Sequence, residues 1–293
     1  MIDLHIHTKF SDGTDGIDAI VNKIIDKRVK TFAITDHDTI DGVESLLGNS
    51  QIRELLDSHN IKFVPGIEFS SIIGREKIHL LGYNCQLNNA DFLKAIEMGW
   101  QKRRGKYELR LQALKEQLGI EFTASSLEQM NKLKYVGKPI MANYLVKDGF
   151  FDNRQDAILN GIHKLKLPAQ EVRLDANIVI PAIVGAEGIC VWAHPLGGLG
   201  EKRIDFEKVE EIIQKLIPLG LKGLECYYNL YTEEECEKLE TLANKYSLLV
   251  SAGSDYHGKN KTCDIGEVRN KVTFDATDKC TISKFFERIK IIK

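Results

Sequence analysis

The sequence predicts an α/β fold of alternating strands and helices, interrupted by a helical insertion. Three observations predict it. Short apolar runs alternate with segments of helical period over residues 1–87 and again over 185–293, the pattern of β/α units with a parallel sheet. Between these parts, residues 88–184 lose the strand signals and carry charged amphipathic segments. Histidines and carboxylates stand in or just after most of the apolar runs, where the loops of a β/α barrel converge. The expected organisation is a discontinuous barrel, 1–87 and 185–293, with 88–184 as a helical subdomain.

The elements follow in order. MIDLHIHT reads as the first strand. Residues two apart share a strand face, so His5 and His7 project together while Ile2, Leu4 and Ile6 line the other side. IDAIVNKIIDKR has helical apolar spacing, and KTFAITD is the second strand. Residues 39–60 read as helical, with breaks expected near Gly42 and Gly48. IKFVPGIEFSS is the third strand, bent at Val64-Pro65-Gly66, and KIHLLGYN is the fourth.

The insertion reads as helices: ADFLKAIEMGWQKRRGKYELRLQALKEQLG, SSLEQMNKL, PIMANYLVKDGF and NRQDAILNGI. Thr123-Ala124-Ser125 and Asp152-Asn153 supply helix starts. The alternation then resumes with the strand GICVWAHP, a helix over 205–218, the strand GLKGLECYYN, the helix TEEECEKLETLANKY and the strand SLLVSAGSDYHG. A strand-like VRNKVTF and a closing helix, ISKFFERIKII, complete the chain.

The totals narrow the function. Forty basic and 42 acidic residues give a net charge of -2, so nothing global attracts duplex nucleic acid or an anionic membrane, and only a local basic pocket remains open. Cys85, Cys190, Cys226, Cys236, Cys263 and Cys280 form no CxxC pair and fit reduced thiols better than a disulfide framework. No signal peptide and no apolar run of membrane-span length is apparent. The expectation is a cytoplasmic protein.

Of eight histidines, six lie in or just after a predicted strand: His5, His7, His37, His79, His194 and His257. Asp12, Glu68 and Asp255 accompany them. His59 and His163 fall at helix ends or in loops and read as surface residues with no role. Nine convergent residues exceed one tetrahedral site, which takes about four ligands. They suit two or three metals sharing a carboxylate. Clustered divalent cations clamp the attacking and leaving oxygens of a phosphoryl transfer and make hydroxide available near neutral pH. The mixed imidazole and carboxylate donors admit zinc, manganese or iron.

Taken in order, HIHTKFSDGTD, AITDHDTIDG, PGIEFSS, KIHLLGY, WAHP and GSDYHG resemble the motifs of the PHP (polymerase and histidinol phosphatase) family, over roughly residues 1–84 and 186–266. Within it, the chain resembles the stand-alone nucleotide phosphatase and 5′–3′ exonuclease branch. The insertion after HLLGY points there, as does Asp12, where histidinol phosphatases usually carry histidine. The resemblance implies a distorted (β/α)7 barrel with a trinuclear centre. It assigns His5, His7, Glu68 and Asp255 to a first metal. Glu68, His79 and His194 fall to a second, with Glu68 bridging, and Asp12, His37 and His257 to a third. One segment departs from the family. Relatives often read GRPH followed closely by Ala-Arg, whereas this chain reads GKPIMAN, with Lys138, Ile140 and Asn143 at those places. Lysine holds a phosphate as a point charge, without the bidentate fork.

The combined expectation is a metal-dependent phosphoesterase. It would hydrolyse phosphomonoesters of nucleotides (AMP or a 3′,5′-bisphosphate), or the 5′ ends of short oligonucleotides, through a metal-bound hydroxide. Asp36 and Asp38 are candidates for orienting ligands or assisting proton transfer. Arg103, Arg104, Lys138, Lys202 and Arg203 are candidates for the phosphate. Arg203 is favoured, because its loop follows a ligand-bearing strand end. Tyr227 and Tyr228 either contact a base or pack. The expected partner is a small phosphorylated substrate, with no membrane and no long duplex. Two alternatives compete. A histidinol-phosphate phosphatase is weighed against by Asp12 and the insertion. A non-catalytic, metal-stabilised binding module is weighed against by the completeness of the nine residues.

Overall fold

The computed structural model describes residues 1–133, 136–168 and 172–267; VRNKVTF, the closing helix ISKFFERIKII and Cys280 lie outside the described residues. The first part of the chain forms β1 (Ile2–Asp3), α1 (Ile17–Asp26), β2 (Thr31–Ile34), α2 (Asp41–Gly48), α3 (Ser50–Ser58), β3 (Lys62–Ile73) and β4 (Glu76–Tyr83). There follow α4 (Ala90–Leu118), α5 (Ala124–Asn131), α6 (Lys138–Lys147) and α7 (Arg154–Asp156), which π-type and 3-10 turns continue to Lys164. Then come β5 (Leu174–Asp175), α8 (Ala176–Gly185), β6 (Ile189–Ala193), α9 (Phe206–Leu216), β7 (Gly223–Tyr228), α10 (Glu233–Lys245) and β8 (Leu249–Gly253).

The strands run in the order β1-β2-β3-β4-β6-β7-β8, and the short β5 pairs on β3 off this path. The Leu4 amide donates to the Ala252 carbonyl at 3.0 Å, and Ile6 bridges Tyr256, so the chain after β1 meets the chain after β8. The result is a nearly closed barrel of seven strands. Its β/α character is as expected, with one difference. β4 runs antiparallel to both β3 and β6. The cause is local: only Gly74 and Arg75 separate β3 from β4, and Gly74 takes a φ of 61°. A two-residue connection makes a hairpin, whereas parallel strands need a long crossover.

Other boundaries moved for equally local reasons. The first strand is regular only over Ile2–Asp3, after which the extended chain keeps an isolated bridge. Gly42 lies inside α2, and the helical break falls at Asn49, whose side chain caps α3 by accepting from the Ile52 amide. β3 is continuous through Pro65, where its partner changes from β2 to β4.

Among the described residues, two apolar clusters form the core. One fills the barrel and the space beneath its helices, with Leu4, Phe32, Val64, Leu80, Val191, Leu224 and Val250 facing Ile20, Leu46, Ile180, Ile213 and Leu239. The other gathers Tyr107, Leu114, Met130, Met141, Leu145 and Ile162 from the segment between β4 and β5. α4 joins the two, since Phe92, Ala95 and Ile96 pack in the first and Tyr107, Ala113 and Leu114 in the second. α8 packs in the first cluster through Val179, Ile180 and Ile183. Cys85, Cys190, Cys226, Cys236 and Cys263 are free thiols. Among the described residues, no helix is long and apolar enough to cross a membrane.

Candidate metal centre

The nine polar residues singled out in the sequence meet at one mouth of the barrel. His5 and His7 sit on the extended chain after β1, and His37 follows β2 and bridges Glu68 of β3. His194 directly follows β6, and Asp255 and His257 follow β8. His194 and Asp255 take positive φ angles of 29° and 55°, an uncommon conformation outside glycine that turns the chain sharply at each strand end. His79 departs from the strand-end rule. It lies in the middle of the antiparallel β4, opposite Ala193, the last residue of β6. That register lifts its ring to the level of the neighbouring strand ends.

The donor atoms form three groups: His5, His7, Glu68 and Asp255; Glu68, His79 and His194; and His7, Asp12, His37 and His257. In the first, Nε2 of His5 and Nε2 of His7 are 3.1 Å apart, and Oε2 of Glu68 lies 3.2 and 3.0 Å from them. Oδ1 of Asp255 is 3.5 and 3.4 Å from the same two nitrogens. In the second, Oε1 of Glu68 lies 3.1 Å from Nδ1 of His79 and 3.2 Å from Nε2 of His194, and those nitrogens are 3.3 Å apart. The third is looser. Oδ1 of Asp12 lies 3.1 Å from Nε2 of His257, and Oδ2 lies 4.0 Å from Nε2 of His37. His7 presents its Nδ1 to this group at 3.7 Å, farther than its Nε2 stands from the first group's donors.

These residues fit a metal. Nitrogen and oxygen ligands about 2.0–2.2 Å from a cation stand roughly 3.0–3.4 Å from one another in tetrahedral or octahedral arrangements. The first two groups already have that spacing. Oδ1 of Asp12 and Oε2 of Glu68 are buried and make no hydrogen bond among the described residues, although imidazole nitrogens stand beside both, an expensive state for a carboxylate oxygen that a cation shared with those nitrogens relieves. The charges are interdependent. Burial would raise the Glu68 carboxyl, yet His5, His37 and His79 hold it well below the usual range. Burial would lower His5, yet Glu68, Glu225 and Asp255 raise it well above the ordinary imidazole value.

Two carboxylates that the sequence reading passed over orient the rings. Glu225, fully buried in β7, sets Oε1 3.0 Å from Nδ1 of His5 and accepts the His194 amide at 2.8 Å. Glu201 lies 3.2 Å from Nδ1 of His194 and accepts the Gly198 amide. Such partners fix the orientation of a ligand ring. Asp36 and Asp38 are not among the cavity-lining residues. Asp36 accepts from the Thr8 amide, the Thr8 hydroxyl and Ser11, and so braces the loop carrying His7. Asp38 accepts from the Ser70 amide and from Arg103, which also reaches the Ser70 hydroxyl.

A cavity of about 230 Å³ opens over the ligands, with Pro139, Arg154, Gly198, Leu199, Asn260 and Lys261 completing its wall. Lys261 pairs with Asp255. A larger cavity of about 630 Å³ adjoins it, sharing His79, His194 and Glu201, and is lined by Arg75, Lys77, Lys138, Arg173 and Lys202. Burial and the charges of Arg110, Lys77, Arg173 and Lys106 lower the Lys138 pKa. Arg104 pairs with Glu108 on the surface of α4. Arg203 pairs with Glu235 and stacks over Tyr231, outside both cavities. Tyr228 is buried and donates to Asp255 at 3.0 Å, whereas Tyr227 donates to Glu240. His59 is exposed, as is His163, whose Nε2 lies 3.1 Å from Nζ of Lys138.

The PHP domain family model matches residues 3–159, more than half of the chain. The chain belongs to the PHP domain family. Among curated relatives of this PHP protein, the 5′-3′ exoribonuclease Rnm of Escherichia coli is 24% identical over 260 residues, covering 87% of this chain and 84% of the relative. The phosphoribosyl 1,2-cyclic phosphate 1,2-diphosphodiesterase of Eggerthella lenta is 27% identical, covering 88% and 94%. The 3′,5′-nucleoside bisphosphate phosphatase of Chromobacterium violaceum is 24% identical, covering 87% of each. A solved structure from Bifidobacterium adolescentis, assigned as a metal-dependent phosphoesterase, superposes with a TM-score of 0.79 at 26% identity, covering 98% of this PHP chain and 96% of its own.

The PHP motifs carried the candidate ligands themselves. Glu201, Arg154 and Lys261 escaped sequence reading because each stands in an ordinary polar run, GEKR, DNRQD and GKNKT, where one more charged residue carries no signal. Glu225 offered one faint signal: a carboxylate inside the otherwise apolar run GLECYY.

Proposed function

We propose that this PHP protein is a metal-dependent phosphoesterase acting on nucleotides, either on a mononucleotide phosphate or on the 5′ end of a short oligonucleotide. The observation that carries the reading is Glu68. One buried carboxylate turns Oε2 toward His5 and His7 and Oε1 toward His79 and His194, and so joins two ligand groups on the floor of one cavity. His5, His7, Glu68 and Asp255 would hold one divalent ion and Glu68, His79 and His194 a second. Asp12, His37 and His257 would hold a third, since Nε2 of His7 is committed to the first group. Divalent ions so placed would neutralise phosphate oxygens and would bring the pKa of a bound water toward neutrality.

The chain's own residues do the rest. Glu225 and Glu201 fix the imidazoles, Asp36 and Asp38 brace the loops, and Leu199 and Pro139 add apolar wall to the cavity. The adjoining groove, with Arg75, Lys77, Lys138, Arg173 and Lys202, supports a substrate with a second phosphate, because clustered cations track a nucleotide backbone. The names of the relatives support the same class of substrate.

The test is product formation by the manganese-loaded protein on AMP, adenosine 3′,5′-bisphosphate, short 5′-phosphorylated oligoribonucleotides, phosphoribosyl 1,2-cyclic phosphate and histidinol phosphate. His194→Ala is the control. Turnover of the nucleotides that the control abolishes is expected. Turnover of the cyclic ester or of histidinol phosphate alone would overturn the substrate assignment, and silence with metal bound would overturn the activity.

A further inference from the structure

α7 is a single turn, yet it brings Arg154 from the segment between β4 and β5 to the wall of the metal-centre cavity. Nη2 of Arg154 donates to the Asn260 carbonyl at 2.9 Å. Asn260 in turn donates from Nδ2 to the Asp12 carbonyl at 2.6 Å. The guanidinium is therefore tied to the loop after β8 and, through it, to the loop that carries a candidate ligand. Nη1 is different. It is buried and has no hydrogen-bond partner among the described residues.

A buried guanidinium N–H with no acceptor is costly to keep, and the natural relief is an anionic oxygen. Arg154 shares its cavity with Asp12, His37, Glu68, His194 and His257. The other cation of that wall, Lys261, is already paired with Asp255. An oxyanion held over the ligands would face the cations that those carboxylates and imidazoles would hold, and find Nη1 at the side.

We propose that Arg154 is a substrate-binding residue that donates from Nη1 to a phosphate oxygen turned away from the ligand groups, with Nη2 anchored on Asn260. This rests on the phosphoesterase reading of the site. The guanidinium is planar and fixed at one edge, so the second edge is pre-aimed. It contributes charge stabilisation as the phosphoryl group transfers, and its anchor makes the loop after β8 a positioning element for it.

The experiment compares metal-loaded wild type with Arg154→Lys, Arg154→Gln and Arg154→Ala. Inorganic phosphate binding is followed by calorimetry, metal content by elemental analysis and folding by circular dichroism. The expected result is a phosphate affinity about 10- to 100-fold weaker in Arg154→Ala and Arg154→Gln, the size of a charge-assisted hydrogen bond, with metal content unchanged. Arg154→Lys should recover only part, and guanidinium ion should restore kcat/KM to Arg154→Ala but not to wild type. Phosphate binding equal to wild type in Arg154→Gln overturns the proposal. So does loss of metal in all three folded variants, which would make the role structural. Wild-type phosphate binding without turnover of any ester would instead defeat the phosphoesterase reading and leave the Arg154 result standing.

Discussion

Oε1 of Glu225 lies 3.0 Å from Nδ1 of His5, and both side chains are sealed from solvent. The other oxygen of Glu225 takes the amide of His194 at 2.8 Å. One carboxylate thus orients a ring from one ligand group and the backbone of a ligand from another. A glutamine in its place keeps the size and removes an acceptor. Glu225→Gln should weaken metal affinity about 10- to 100-fold, the usual effect of losing such a partner. A metal titration against a chromophoric chelator measures it, and unchanged affinity would show that His5 needs no orienting partner.

Gly253, the last residue of β8, lies against the same pair. A Cβ there would collide with Cβ of His5 and come within 2.7 Å of Oε1 of Glu225 and 2.9 Å of the His5 amide nitrogen. Backbone atoms cannot swing aside as a flexible side chain can. Gly253→Ala should cost about 1–3 kcal/mol of stability, the range of overpacked cores, and should lower metal content at the same time. Urea unfolding with elemental analysis tests this. An alanine variant with wild-type stability and metal would mean that β8 can shift without disturbing His5.

Metal removal should loosen the barrel where β1 meets β8. Few backbone hydrogen bonds close that junction: Leu4 to Ala252, His7 to Tyr256 and a longer one from Tyr256 to His5 at 3.3 Å. His5 and Asp255 stand on its two sides and belong to one ligand group. Chelation should therefore lower Tm, because it removes a stabilisation that depends on free metal and reaches about 2.7 kcal/mol at a hundredfold excess over Kd. Hydrogen exchange should quicken first at residues 4–7 and 252–257. Uniform acceleration across the barrel would place the effect elsewhere.

Asp148, just past α6, accepts from the Thr123 amide and hydroxyl and from the Ser126 hydroxyl, and so ties α5 to α6. Burial works against ionisation, but these donors together outweigh it and hold the carboxyl below its ordinary value. A folded pKa below the unfolded one gives stability that is present above the unfolded pKa and lost as pH falls through the folded one. Asp148→Asn should thus cost about 1 kcal/mol at pH 7, and the gap from wild type should close below roughly pH 4. Denaturation at several pH values shows it, and a gap constant down to pH 3 would rule out the carboxylate as its source.

The candidate ligands were legible because each sits in or soon after a short apolar run, where a histidine or acid has no reason to recur unless it faces a common mouth. The hairpin of β3 and β4 was not, because alternation of apolar runs says nothing about strand direction. That information lay in the two residues Gly74 and Arg75. Arg203 drew attention by following a ligand strand, but the acidic α10 was near enough to claim it through Glu235. Arg154 was hidden for the opposite reason. Asn153 signalled only a helix start there, and what makes Arg154 notable, its approach to Asn260 across more than a hundred residues of chain, is tertiary.

A ribosome delivers His5, His7 and Asp12 with the first strand and Asp255 and His257 only after β8. Until β8 docks, the early histidines have neither Asp255 nor the bracing of Glu225. Until then the groups that need Asp255 or His257 offer a cation only part of a coordination set, and partial sets hold metal weakly and exchange it quickly. Tight loading of those groups thus follows the closure of the barrel, when β8 has found β1.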